Sequence, residues 1–116
     1  MDLELLRGQW RAVRIEKAGS TVPGDLAGIV RYIFEGDRVT LMEGDQVAGE
    51  GVIRLDESAE PGAFDFEATG GPQAGARAEG IYRVQGDALT MCMGERRPSE
   101  FTGEGEAALV ELSRIG

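Results

Sequence analysis

Between Ala76 and Cys92 the chain alternates so strictly that few folds are open to it. Every even position from Ala76 to Val84 is apolar or small, while Arg77, Glu79, Arg83 and Gln85 take odd positions. Successive side chains of an extended strand point to opposite faces, so this period marks a strand buried on one side only. Gly86-Asp87 then supplies a tight turn, and Ala88 to Cys92 runs back as a second strand. Helical spacing, with apolar residues every three or four positions, is almost absent.

The same pattern recurs along the chain. Gln9 to Lys17 places Val13 and Ile15 on one face and Arg14 and Glu16 on the other. Ile29 to Glu35 brings Val30, Tyr32 and Phe34 together, and Gly36-Asp37 turns into Val39 to Met42. Val47 to Leu55 alternates again, with Val47, Gly49, Gly51, Ile53 and Leu55 sharing a face. Phe64, Phe66 and Ala68 then oppose Asp65, Glu67 and Thr69, and Ala108 to Arg114 closes the chain. Asp2 to Leu6 suits a short helical turn that offers Leu3, Leu5 and Leu6 as a plug. About eight strands with short connections, and no room for crossover helices, predict one all-β domain over residues 1–116. Its expected form is a small antiparallel up-and-down β-barrel, because closure removes exposed strand edges.

Composition excludes several kinds of function. The chain carries 21 acidic against 12 basic residues, a net charge of −9, with no basic cluster beyond Arg96-Arg97. Phosphate neutralisation needs a basic surface, so no nucleic acid is expected as a partner, and no apolar run is long enough to span a membrane. Histidine is absent, which removes Ser-His and Cys-His nucleophiles and the usual Cys/His zinc sites. The one cysteine, Cys92, opposes Leu89 and Met91 in phase and is expected to face a neighbouring element. A single cysteine and an acidic, short N-terminal apolar run suggest a cytoplasmic protein, with secretion the alternative if a leader precedes the chain. The Gly70 to Gly75 run lacks the lysine of a phosphate loop and reads as a hairpin loop. No cofactor or metal is implied.

The ends of the chain carry a resemblance. Leu6, Gly8 and Trp10 stand at the mouth of the first strand, and Arg114 lies in the last. Between them come Gly80-Ile81-Tyr82, then Gly86, Asp87, Leu89 and Cys92, and finally Arg97, Pro98, Glu100 and Phe101. This ordered set resembles a family of uncharacterised bacterial lipocalin-like (calycin-type) small β-barrel domains. The resemblance implies a lipocalin-like barrel whose tryptophan plugs one end beneath an arginine from the last strand. It implies no activity, and the short Met93 to Arg96 linker before Arg97 departs from the family pattern.

Among the residues expected inside the barrel, only the two tyrosines bring polar side-chain atoms. A lining of this kind suits an apolar ligand held by one or two hydrogen bonds. The candidate binding residues are Tyr32, Phe34, Phe64, Phe66, Tyr82, Met91 and Arg97. An eight-stranded barrel is also narrow enough for its own side chains to fill, so a solid core stands beside the hollow one as an alternative. Arg97 either reaches an acidic ligand group or staples its loop to Asp65, Glu100 or Asp87. Three functions follow: a small hydrophobic molecule bound inside or at the mouth of the barrel, a solid scaffold meeting a protein partner, or a cyclase or isomerase that shapes its substrate without a nucleophile. The first is the leading expectation and enzymatic activity the weakest; the oligomeric state is left open.

Overall fold

The computed structural model describes residues 2–72 and 74–115. A short helix α1 (Asp2–Leu6) leads into β1 (Gly8–Lys17), followed by the two-residue strand β2 (Ser20–Thr21) and the single-turn helix α2 (Gly24–Ala27). Seven strands then follow in an unbroken meander: β3 (Val30–Glu35), β4 (Arg38–Glu43), β5 (Gln46–Asp56), β6 (Gly62–Gly70), β7 (Arg77–Gln85), β8 (Ala88–Gly94) and β9 (Ala108–Arg114). Each pairs antiparallel with the next, β1 pairs with β3, and β9 returns to β1. The result is a closed antiparallel eight-stranded barrel, with β2 as a small flap on β1. The expected all-β barrel is the observed fold. The predicted loop at 70–75 joins β6 to β7, although its Gln73 lies outside the described residues, as does Met1.

Three register shifts bend the barrel, and two of them alter which residues face inward. In β1 the pairing to β9 slips between Ala12 and Arg14. Trp10 and Ala12 therefore face the core, while Val13, expected inside, is ejected to 56% exposure before Ile15 turns back in. A bulge adds one residue and inverts the phase beyond it, which plain alternation cannot register. A second shift between Leu41 and Met42 puts Val47 opposite Met42, and Val47 is exposed instead of sharing the face of Gly49 and Gly51.

The core is one cluster inside the barrel, dominated by Leu6, Trp10, Phe34, Ile53, Phe64, Tyr82 and Leu89. Large aromatics bury roughly 150–250 Å² each, worth about 4–6 kcal/mol of gross hydrophobic stabilisation before entropy is subtracted. Their seats are glycines. A Cβ at Gly80 would stand 2.3 Å from the Phe64 ring, and one at Gly51 would stand 2.4 Å from the Phe66 ring. The space left by small inward residues at these two positions is therefore taken by the neighbouring phenyl groups.

A second apolar cluster lies outside the barrel. Ile81, Cys92 and Leu109 stand side by side on the outer face of β7, β8 and β9, each at a position where alternation predicts a solvated residue. The segment 95–107 crosses this face as a strap and packs Phe101 and Ala107 onto it. Cys92 is fully buried there, its thiol donating to the Thr102 carbonyl at 3.1 Å, and the Gly103 carbonyl accepts from the Gly19 amide at 2.8 Å.

Candidate functional site at the open end of the barrel

The two ends of the barrel are built differently. At one end lie the turns at 36–37 and 86–87, the 57–61 loop, α1 and the last residues of β9. Here Trp10 is fully buried, its indole N–H donating to the Leu6 carbonyl at 2.8 Å, and Leu6 packs beneath the α1 turn. The Arg114 guanidinium lies 4.2 Å from the indole centroid and donates to the carbonyls of Arg7 (2.8 Å) and Leu5 (2.5 Å). Asp87 meets the same guanidinium at 3.2 Å. Gly8 makes this lock possible, since its φ of +120° disfavours other residues and a Cβ would crowd Arg114 at 3.3 Å. The tryptophan plug and the covering arginine implied by the resemblance are both present. This end is closed.

The opposite end carries the turn at 44–45, the 70–76 hairpin and the two ends of the strap. Inward positions there are small or only half-buried: Ile15, Val30, Leu41, Gly49, Ala78, Met93 and Ala108 are all partly accessible. Above Arg11 the strand β1 parts from β3, and α2, whose Ala27 is buried, packs against β1. Tyr32 and Phe66 stand one step deeper along their strands, and both are half-buried. Below them Met91, Phe34, Phe64 and Tyr82 are buried.

The sequence candidates are thus divided by depth. Tyr32, paired with Trp10, and Phe66 lie in the middle of their strands and are half-buried, with the Tyr32 and Phe34 rings 6.3 Å apart and tilted by 31°. Phe34, Phe64, Tyr82 and Met91 belong to the packed half, where the Phe64 and Tyr82 rings lie 6.5 Å apart at 58°. Tyr82 leans against Gly62 and borders a groove of about 590 Å³ on the outside of the closed end, with Glu57, Arg83 and Phe101. Arg97 meets only the backbone of another candidate, its guanidinium donating to the Phe64 carbonyl at 3.5 Å. It lies outside the barrel in an ion pair with Asp65, and its amide donates to Glu79 at 3.2 Å. Of the two roles read for it, the geometry displays the staple.

Tyr32 has the most informative surroundings. Among the described residues its hydroxyl has no hydrogen-bond partner. No buried side-chain oxygen or nitrogen among the described residues lacks a partner either, so this hydroxyl keeps some contact with solvent. Protein nevertheless crowds the ring, and desolvation pushes the phenol up to about 12. Tyr32 is a neutral hydrogen-bond donor at any physiological pH. The barrel holds no buried polar or charged residue among those described, and no cluster of acidic or cysteine side chains arranged for a metal ion.

The outer surface also carries shallow depressions. One of about 330 Å³ spans β3 to β6 over Glu35, Arg38, Thr40 and Glu50, and another of about 460 Å³ spans β5 to β7 over Arg54, Asp65, Glu67 and Arg77. The first mixes three charged residues with Ile33, Val39 and Val52, and the second is lined mainly by charged side chains beside Phe66 and Ala78. No described helix is long and apolar enough to cross a membrane. No protein-family model matches the chain, and no curated protein or solved structure is significantly similar to it.

Alternation alone missed the split between the two ends. The available signal was the cluster of small residues, Gly49, Ala68, Ala78 and Ala108, at the strand ends opposite Trp10.

Proposed function

We propose that this chain is a small-molecule-binding barrel of lipocalin-like type, taking a hydrophobic ligand at its open end. The observation that carries this reading is the neutral Tyr32 hydroxyl, without a partner among the described residues and set among half-buried apolar side chains. Solvating such an end leaves apolar surface wet, and an apolar ligand releases that water at about 25 cal/mol per Å² covered. Tyr32 supplies the one directional contact, Phe66, Leu41 and Met93 supply apolar wall, and the buried Phe34, Phe64, Tyr82 and Met91 form the floor. Arg97, held by Asp65 outside the barrel, has no part in this arrangement.

Native mass spectrometry of the purified protein, with a thermal-shift screen of apolar compounds, tests the proposal. A ligand that prefers the folded state must raise the melting temperature. A co-purified small molecule, or a thermal shift that Tyr32→Phe weakens, is the expected result. A bare mass with no shift across the screen overturns the reading.

A further inference from the structure

We infer that the ligand of this open end is electrically neutral and enters with a hydrogen-bond acceptor, an ester or ketone oxygen, directed at Tyr32. The inference rests on the binding function proposed above and names its chemical class.

The first ground is the charge of the wall. The inward faces present apolar side chains, glycine and tyrosine, and no buried position among those described is ionisable other than Tyr82 and Cys92. A carboxylate taken to the depth of Tyr32 would lose its water with no cation to replace it. The cation that sequence offered for that task, Arg97, is committed to Asp65 on the outside. Arg31 points outward, donating to the Gln9 side chain and to the Gly44 carbonyl. Arg114 is used at the far end against Trp10.

The second ground is the donor itself. A phenol pushed up to about 12 keeps its proton, and with no partner among the described residues it is available to donate. Ketone and ester oxygens accept without bringing charge. A hydrocarbon would leave the hydroxyl unpaired once water is displaced, which favours acceptor-bearing molecules over plain alkanes.

One cation has the right phase to oppose this conclusion. Lys17 is two residues beyond the inward Ile15 and pairs with Ala108 at the lip, where it is exposed. An anionic ligand could sit with its tail inside and its charge at Lys17. The neighbourhood works against that, because Glu16 is adjacent and the strap brings Glu104 and Glu106 to the same lip beside Gly103, which packs on Glu16. Glu16 itself is held by Arg14.

The experiment is calorimetric titration of the full chain at neutral pH with methyl decanoate, a matched methyl ketone, decane and decanoate, repeated on Tyr32→Phe and Lys17→Gln. The expected result is that the ester and ketone bind about tenfold more tightly than decanoate. Tyr32→Phe should weaken them by about fivefold, the loss of one hydrogen bond, and leave decane unchanged. Lys17→Gln should leave ester and ketone binding unchanged. Decanoate binding as tightly as the ester, and losing affinity in Lys17→Gln, would overturn neutral selectivity while keeping the binding function. Failure of all four probes to bind would overturn both. Each variant's melting temperature without ligand checks that its fold is intact.

Discussion

The closed and open ends of this barrel are made from the same strands, yet one is packed and the other is not. At the closed end Trp10, Phe34, Phe64, Leu89 and Leu112 point inward and are all buried, while Leu55 and Val84 are half-buried. At the open end the same strands finish on Ile15, Val30, Gly49, Ala78, Met93 and Ala108, which are small or half-buried. The difference teaches how such a fold divides its work. Large side chains concentrated at one end pack against α1 and the last strand, and smaller ones at the other leave apolar surface half-exposed.

The sharpest way to break the comparison is at the plug. Trp10→Ala removes the buried indole, its hydrogen bond to Leu6 and the partner of Arg114, and should destabilise the protein by about 3–5 kcal/mol in chemical denaturation. A loss below about 1 kcal/mol would show that the closed end does not carry the fold. Next in size is Gly80→Ala, where the new methyl meets both the Phe64 ring and the Cys92 carbonyl, at an expected cost of about 1–3 kcal/mol.

The same chemical change at the open end should be nearly silent. Gly49→Ala meets only the Gly70 carbonyl at 3.9 Å, and its effect should stay within about 0.5 kcal/mol. A large destabilisation there would mean the open end is packed after all.

Titration sharpens the comparison from another side. Tyr32 ionises near 12 in the folded protein against an ordinary 10.0, so the folded state holds this proton more tightly than the unfolded one. Its contribution to stability is therefore complete below pH 10 and declines as the pH rises from about 10 to about 12. Because the side chain is half-buried, the decline attributable to it should be about 1 kcal/mol, and Tyr32→Phe should abolish that share. Tyrosinate absorbance provides the check. A Tyr32 phenol titrating at its ordinary value would mean that water fills the end down to the ring.

How legible this was in the sequence varied by element. The β7–β8 hairpin stood out because five successive even positions from Ala76 to Val84 keep one phase, and β9 was legible for the same reason. The Trp10 and Arg114 lock came from the family resemblance, and the tertiary structure places the guanidinium over the indole. Val13 was misplaced because a bulge leaves no mark in a hydrophobic pattern: the residue is still apolar, only its phase has changed. Ile81 and Leu109 broke the outward polar pattern, and that break was the trace of the strap that covers them.

The sequence by itself determined an antiparallel all-β chain, since a period of two is a local consequence of strand geometry that needs no knowledge of neighbours. It also excluded histidine chemistry and a basic binding surface. Only the tertiary structure decided which candidates share a place. Tyr32 and Tyr82 are alike in local pattern, but strand tilt sets Tyr82 in the packed half and Tyr32 toward the open one. Arg97 was decided in the same way, by an ion pair with Asp65 that spans 32 positions along the chain and forms only when the strap closes over the sheet.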